Sequence, residues 1–125
     1  MWIDSDIIFK TEDLLELLQM NKDIASGWYC QSNNGALSNQ TTVVERMDDQ
    51  ELYQKGSNRY ETVEDMARRG EPFKVDYCGF GWMLIKKGVY EKIPYPWFVP
   101  RVVQLKKPDG TILEDVCSED ISMCQ

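Results

Sequence analysis

The sequence predicts one mixed α/β domain. Three observations carry this: the apolar run Met1-Trp2-Ile3 stops at an acidic turn, a capped amphipathic helix follows it, and a second apolar segment, Asp23 to Tyr29, comes next. Strand, helix and strand in that order predict a parallel crossover unit. The length of 125 residues suits one domain, and 42% hydrophobic with 11% aromatic residues supplies a core.

Each element has its own signal. Met1 to Ile3 is too short a run for a helix and ends at Asp4-Ser5-Asp6. Thr11 suits a helix cap, Glu12 and Asp13 favour the positive end of the dipole, and Leu14, Leu15, Leu17 and Leu18 form one face of a helix ending near Asn21. Asp23 to Tyr29 reads as a buried strand. Gln31 to Gln40, rich in Asn, Ser and Gly, reads as a surface loop, and Thr41 to Met47 as a β-branched strand. Asp48 to Tyr60 has no clear period. Thr62 with Asp65 three residues on, then Gly70 and Pro72, punctuates a second helix. Phe73 to Cys78 and Phe80 to Ile85 are strand-like around Gly79 and Gly81, where backbone can bend or approach a ligand. Lys87 to Lys92 suits a helical turn. Tyr95 to Pro100 is held extended by its prolines. Val102 to Lys106 and Thr111 to Leu113 flank Pro108-Asp109-Gly110 as a hairpin, and Ser118 caps a short final helix.

Composition removes several functions. With 21 acidic against 14 basic residues and no basic run, the chain is unsuited to duplex nucleic acid. The absence of histidine excludes Ser-His-Asp and Cys-His chemistry, so acid–base work falls to carboxylates. Cys30, Cys78, Cys117 and Cys124 have no C-x-x-C spacing and read as reduced thiols. Two acids within the first six residues are unlike a signal peptide, and no apolar run approaches ~18 residues. The expectation is a soluble, cytoplasmic chain without a membrane segment.

Four constellations have chemical potential. Asp4-x-Asp6 puts two carboxylates after a strand, a place and ligand type suited to Mg²⁺ or Mn²⁺ bridging a phosphate. Eleven aspartates give about one such match by chance, so the flanking strand and helix carry the weight; an acidic turn that only ends a strand is the alternative. Glu119-Asp120 offers a base for a hydroxyl proton, or simply a favourable first helical turn. Gly79-Phe80-Gly81 is a bend that admits a sugar or phosphate, or a bulge in a core strand. Trp97-Phe98 is a stacking face or core, and Arg68-Arg69 and Lys86-Lys87 read as solvated pairs.

Taken in order, Trp2-Ile3-Asp4-Ser5-Asp6-Ile7, Asp23-Ile24-Ala25-Ser26-Gly27, Val75 to Gly81, Tyr95-Pro96-Trp97-Phe98 and Ser118-Glu119-Asp120 resemble the nucleotide-sugar glycosyltransferases of the GT-A fold, particularly the family-2-like group. The resemblance implies a mixed sheet flanked by helices and metal-dependent transfer of a sugar from a nucleotide-diphosphate sugar to a carbohydrate or other hydroxyl acceptor. It implies that Asp4 and Asp6 hold Mn²⁺ or Mg²⁺, that Asp4, Ser5, Asp6, Gly79, Phe80 and Gly81 border the donor, and that Trp97 and Phe98 face the acceptor. Asp120, with Glu119 beside it, would be the catalytic base of an inverting reaction.

The sequence departs from that family in two places. A third metal ligand, often histidine, has no counterpart, and only three residues precede Asp4, where the family has most of a nucleotide-binding half. The chain therefore reads as the acceptor-side portion of such a domain, completed by a missing N-terminal half or by a homodimer or larger assembly. Two other functions are weighed. One is a non-catalytic, self-associating or partner-binding fragment, from the unpaired sheet edge. The other is an Asp-nucleophile phosphotransferase, for which Asp48-Asp49 arrives too early as the later acidic pair.

Overall fold

The computed structural model describes residues 1–33, 35–46, 50–51, 54 and 59–124. The chain is mixed α/β; among the described residues, short strands form four small antiparallel sheets, and three short helices have their bounds described. The central sheet holds β1 (Trp2–Ile3), β2 (Ile24–Ser26) and β7 (Trp82–Ile85) in the order β1-β7-β2. Both outer strands pair antiparallel with β7, through Ile3 opposite Trp82 and Ala25 opposite Leu84. Hence β1 and β2 run the same way, as a crossover requires, but they are not neighbours: β7 occupies the space between them. The predicted parallel pair is corrected to an antiparallel sheet in which β7 separates β1 from β2, and no parallel GT-A-like sheet is present among the described residues.

Helix α1 (Thr11–Gln19) connects β1 to β2. Its cap is Lys10 rather than Thr11, with the Lys10 N–H donating to Asp13 at 2.9 Å. The helix stops two residues before Asn21, which takes a positive φ of 48°. Only Leu17 of the leucine face is buried, with Leu15 and Leu18 about half exposed. Leu17, Ala25 and Trp82 form the buried cluster, with Ile3, Ile7, Met20, Tyr29 and Leu84 packed around it. Phe9 stacks on Trp82 at 5.1 Å between centroids.

The Asn-rich segment is a correction of a different kind. It forms a hairpin of β3 (Cys30–Asn33) and β4 (Ala36–Thr41), with Gly35 at φ 81° in the turn. The polar strands expose most of their side chains, so no apolar alternation marks them in sequence. β5 (Val43–Val44) then pairs with β6 (Tyr77–Cys78), a much shorter strand than the predicted Phe73 to Cys78. Positions 34, 47–49, 52–53, 55–58 and 125 lie outside the described residues, among them Asp48, Asp49, most of the segment without clear period and the end of the predicted Thr41 to Met47 strand.

Helix α2 (Val63–Arg69) has the predicted punctuation: Thr62 and Asp65 exchange hydrogen bonds, and Gly70 closes the helix in the left-handed region at φ 66°. A 3₁₀ turn at Tyr90–Lys92 falls within the predicted helical turn. The hairpin of β8 (Arg101–Lys106) and β9 (Ile112–Cys117) turns at Pro108-Asp109-Gly110, and α3 (Glu119–Cys124) follows directly. Among the described residues no helix is long and apolar enough to cross a membrane.

Candidate functional site

β1 delivers the acidic turn to the bend before β7. Beyond Ile3 the chain leaves the sheet, and the Asp4 N–H donates to the Gly81 carbonyl at 2.8 Å. The Ile7 N–H closes the turn onto the Asp4 carbonyl at 3.2 Å, leaving Asp4, Ser5 and Asp6 exposed. One carboxylate oxygen of Asp4, Oδ1, accepts from Trp2 Nε1 at 3.2 Å. The other, Oδ2, comes within 3.2 Å of the place a side chain on Gly81 would fill.

Gly79-Phe80-Gly81 joins β6 to β7 and is pinned from both ends. The Gly79 N–H donates to the Thr42 carbonyl at 2.9 Å, and the Gly81 N–H donates to the Tyr29 phenol oxygen at 2.8 Å. A Cβ at Gly79 or Gly81 would lie 2.6 or 2.4 Å from that oxygen. Both glycines are therefore required by the close approach of Tyr29.

β6 also holds Asp120. Tyr77, on that strand, donates its phenol proton to Asp120 Oδ2 at 2.8 Å. Asp120 Oδ1 accepts from the Ser118 hydroxyl and, at 3.0 Å, from the Ile121 N–H. The predicted Ser118 cap thus bonds the carboxylate of Asp120. A carboxylate offers about four acceptor directions, two per oxygen, so the open one belongs to Oδ2. Burial, and then the bond to Asp120, push the Tyr77 pKa upward. Tyr60 meets the Tyr77 ring edge-on at 6.4 Å and is also shifted upward, by burial and then by the Asp120 charge. Glu119 is exposed to solvent.

Tyr29 links the two ends of the chain. Its pKa is raised by burial first, and the charges on both Asp4 and Asp120 oppose its ionisation. The sequence gives no direct sign of this tyrosine or of Tyr77; each lies two residues from a small or polar position and reads as a strand aromatic. Two cysteines lie behind the bend. Cys78 is the first of its pair with Cys124 to ionise, because its thiolate would accept from the Cys124 thiol and from Ser26, whereas Cys124 is pushed up by the bond to Cys78 and by burial. All four cysteines are free thiols.

The aromatic pair divides. Phe98 packs edge-on against Phe80 at 5.5 Å and reaches Trp2 at 6.1 Å, so it borders the bend and the acidic turn. Trp97 instead donates its Nε1–H to the Ile93 carbonyl at 3.1 Å and packs on Tyr90 at 4.8 Å. Its ring is tied to the 3₁₀ turn. Trp2, read only as a strand residue from sequence, is 54% exposed and completes the aromatic border.

The basic pairs have structural partners. Arg69 pairs with Glu45, comes within 3.9 Å of Glu61 and lies 4.0 Å above the Phe73 ring, while Arg68 is 3.6 Å from Asp65. Lys86 Nζ donates to Asn21 Oδ1 at 3.0 Å. An open cleft of about 580 Å³ has Arg46, Arg59, Arg68 and Arg69 facing Glu45, Glu51, Glu61 and Asp65. Its charges compensate each other, and it contains none of the predicted site residues.

Among the described residues no group of three or more Cys, Asp or Glu side chains is arranged as a metal cage. Asp4 and Asp6 are two exposed carboxylates of one turn, and Mg²⁺ usually takes one or two carboxylates and completes its shell with waters and substrate phosphates. Asp4 Oδ2 and the exposed Asp6 carboxylate would be the oxygens available to such a cation, since Asp4 Oδ1 accepts from Trp2. Comparisons with protein families, curated proteins and solved structures find no match to this chain.

Proposed function

We propose that the chain carries site residues of a GT-A-type glycosyltransferase and takes part in transfer of a sugar from a nucleotide-diphosphate sugar to an acceptor hydroxyl. The observation that carries the reading is a convergence of three separate parts of the sequence: the acidic turn and the glycine bend meet beside the Tyr29 phenol, and the strand leading into that bend holds Asp120 through Tyr77. Asp4 and Asp6 would hold a divalent cation, which supplies positive charge to the leaving diphosphate. Asp120 accepts the proton of the acceptor hydroxyl through Oδ2, its less occupied oxygen, as that hydroxyl's oxygen bonds to the anomeric carbon and the bond to the nucleoside diphosphate breaks. Tyr77, Ser118 and the Ile121 N–H orient the carboxylate for that task. Phe98 and Trp2 offer apolar faces to the sugars.

The test is direct. Calorimetry with UDP and GDP should show heat of binding in Mn²⁺ that excess chelator abolishes, and that Asp4→Asn weakens strongly. Transfer, assayed with a panel of donors and acceptors, should fall at least about 100-fold in Asp120→Asn while nucleotide binding persists. Equal binding with and without Mn²⁺ would remove the site assignment.

A second reading, self-association of an interaction fragment, draws support from the β8–β9 hairpin. Val102 and Val116 sit opposite each other and are 65% and 67% exposed, and the hairpin pairs only with itself among the described strands. Such a surface favours association. Light scattering at rising concentration decides it: a constant monomer mass refutes this reading and leaves the first untouched.

A further inference from the structure

Tyr29 has a hydrogen-bonding capacity that the fold leaves unused. Its backbone is fixed, because the Thr42 N–H donates to the Tyr29 carbonyl at 3.0 Å. Its ring is half-buried against the core cluster. Its phenol oxygen accepts the Gly81 N–H at 2.8 Å, which occupies one lone pair and turns the hydroxyl proton away from that amide. No group among the described residues accepts this proton. Asp4 Oδ2 reaches the same side of Gly81, and the charges of Asp4 and Asp120 both favour the neutral, proton-bearing phenol.

The position is as informative as the proton. Tyr29 lies over Gly79 and Gly81, with Asp4 near one side and Asp120 within electrostatic reach. A cationic donor placed there would pair with the carboxylates; a neutral phenol can instead donate to an uncharged oxygen. In the glycosyltransferase reading, on which this inference rests, the atoms between diphosphate and base belong to the transferred sugar. We propose that Tyr29 is a specificity-determining residue whose hydroxyl donates a hydrogen bond to a hydroxyl of the donor sugar. It contributes to binding of the sugar and not of the nucleoside diphosphate.

The experiment compares wild type with Tyr29→Phe by calorimetry in Mn²⁺, using UDP and GDP against UDP-glucose, UDP-N-acetylglucosamine and GDP-mannose. A single neutral hydrogen bond predicts about a tenfold loss of affinity for the nucleotide sugar bound by wild type, with the matching nucleoside diphosphate unchanged within about twofold. Equal losses for both ligands, or no loss for either, overturn the role of Tyr29 and leave the glycosyltransferase reading standing. Absence of any Mn²⁺-dependent binding by wild type overturns that reading and this inference with it. If Tyr29→Phe does not fold, tyrosine-labelled wild type keeps the proposal open to refutation: the Tyr29 ring resonance must respond to the nucleotide sugar and not to the nucleoside diphosphate, and an equal response refutes it.

Discussion

Tyr77 and Asp120 are joined by a 2.8 Å hydrogen bond between strand β6 and the first turn of α3. This contact fixes the terminal helix to the strand that leads into the glycine bend, so a stability element and the proposed base are the same pair of side chains. Tyr77 is 7% exposed, and a hydrogen bond to a carboxylate contributes about 1.5 kcal/mol or more. Tyr77→Phe should therefore lower the unfolding free energy by about 1.5 kcal/mol in urea titrations, and Asp120→Asn should cost at least as much, because a single amide oxygen cannot accept both from Tyr77 on one side and from Ser118 and the Ile121 N–H on the other.

The same bond gives an alkaline limb to stability. Burial and Asp120 raise the Tyr77 pKa above its ordinary value of 10.0, so above that pH the unfolded chain loses a proton that the folded chain retains. The stabilisation is complete below pH 10.0 and is lost as pH rises through the folded-state value. Unfolding midpoints should fall steeply above that pH in wild type and less steeply in Tyr77→Phe. Tyr29 and Tyr60, shifted in the same direction, keep part of the slope in the variant.

Gly79 and Tyr29 should be energetically coupled. A Cβ at Gly79 meets the Tyr29 phenol oxygen at 2.6 Å, whereas its next contacts, to the Thr42 side chain, are at 3.0 and 3.3 Å. Gly79→Ala should destabilise by about 1–3 kcal/mol, the usual range for an overpacked site. In a Tyr29→Phe background the closest atom is gone, and the same substitution should cost less by about 0.5–1 kcal/mol. Gly81→Ala is the control: there Tyr29 Cζ is also within 2.6 Å, so removing the hydroxyl leaves a clash. Additive costs at Gly79 in a double-mutant cycle would show that the bend shifts away from Tyr29.

These contacts explain what the sequence could and could not disclose. Helix α2 and the β8–β9 turn were legible because their signals are local: Thr62 with Asp65, Gly70 at a positive φ, and Pro108-Asp109-Gly110. The β3–β4 hairpin was hidden because its strands are polar and mostly exposed, which resembles loop composition. β7 between β1 and β2 was illegible for another reason: Trp82 to Ile85 reads as a strand, but nothing local says which edges it joins. At the site, carboxylates and glycines have recognisable spacing, whereas Tyr29 and Tyr77 derive their importance from partners 52 and 43 positions away. Trp97 and Phe98, adjacent in sequence, separate because only Phe98 meets Phe80.

Trp2 provides an optical report on Asp4. Its indole N–H donates to Asp4 Oδ1 at 3.2 Å, and its ring is 54% exposed beside Phe98. A cation drawn to the acidic turn competes for the charge on that carboxylate and weakens the indole bond. Mn²⁺ should therefore quench and shift tryptophan emission in a saturable way, with the response lost in Trp2→Phe and in Asp4→Asn although Trp28, Trp82 and Trp97 remain. An unchanged response in Trp2→Phe would place the cation elsewhere.

Gly27 sets how closely β2 approaches the central tryptophan. Its N–H donates to the Trp82 carbonyl at 3.2 Å, and a Cβ there would lie 2.0 to 2.7 Å from three atoms of the Trp82 indole. The indole cannot easily retreat, because Phe9 stacks on it and Leu17 and Ala25 pack beside it. Dense cores answer such an insertion by moving backbone, at a cost of about 3 kcal/mol. Gly27→Ala should lower the thermal midpoint more than Gly79→Ala does. Because Trp82 pairs with Ile3 of β1, the residue before Asp4, the change should loosen Asp4 as well, and Mn²⁺ affinity should fall together with stability. Replacing Trp82 by Phe in the same chain removes the outer indole ring that Gly27 meets, so Trp82→Phe should reduce the penalty of Gly27→Ala; an undiminished penalty would mean that the backbone of β2, and not the indole, resists the added methyl.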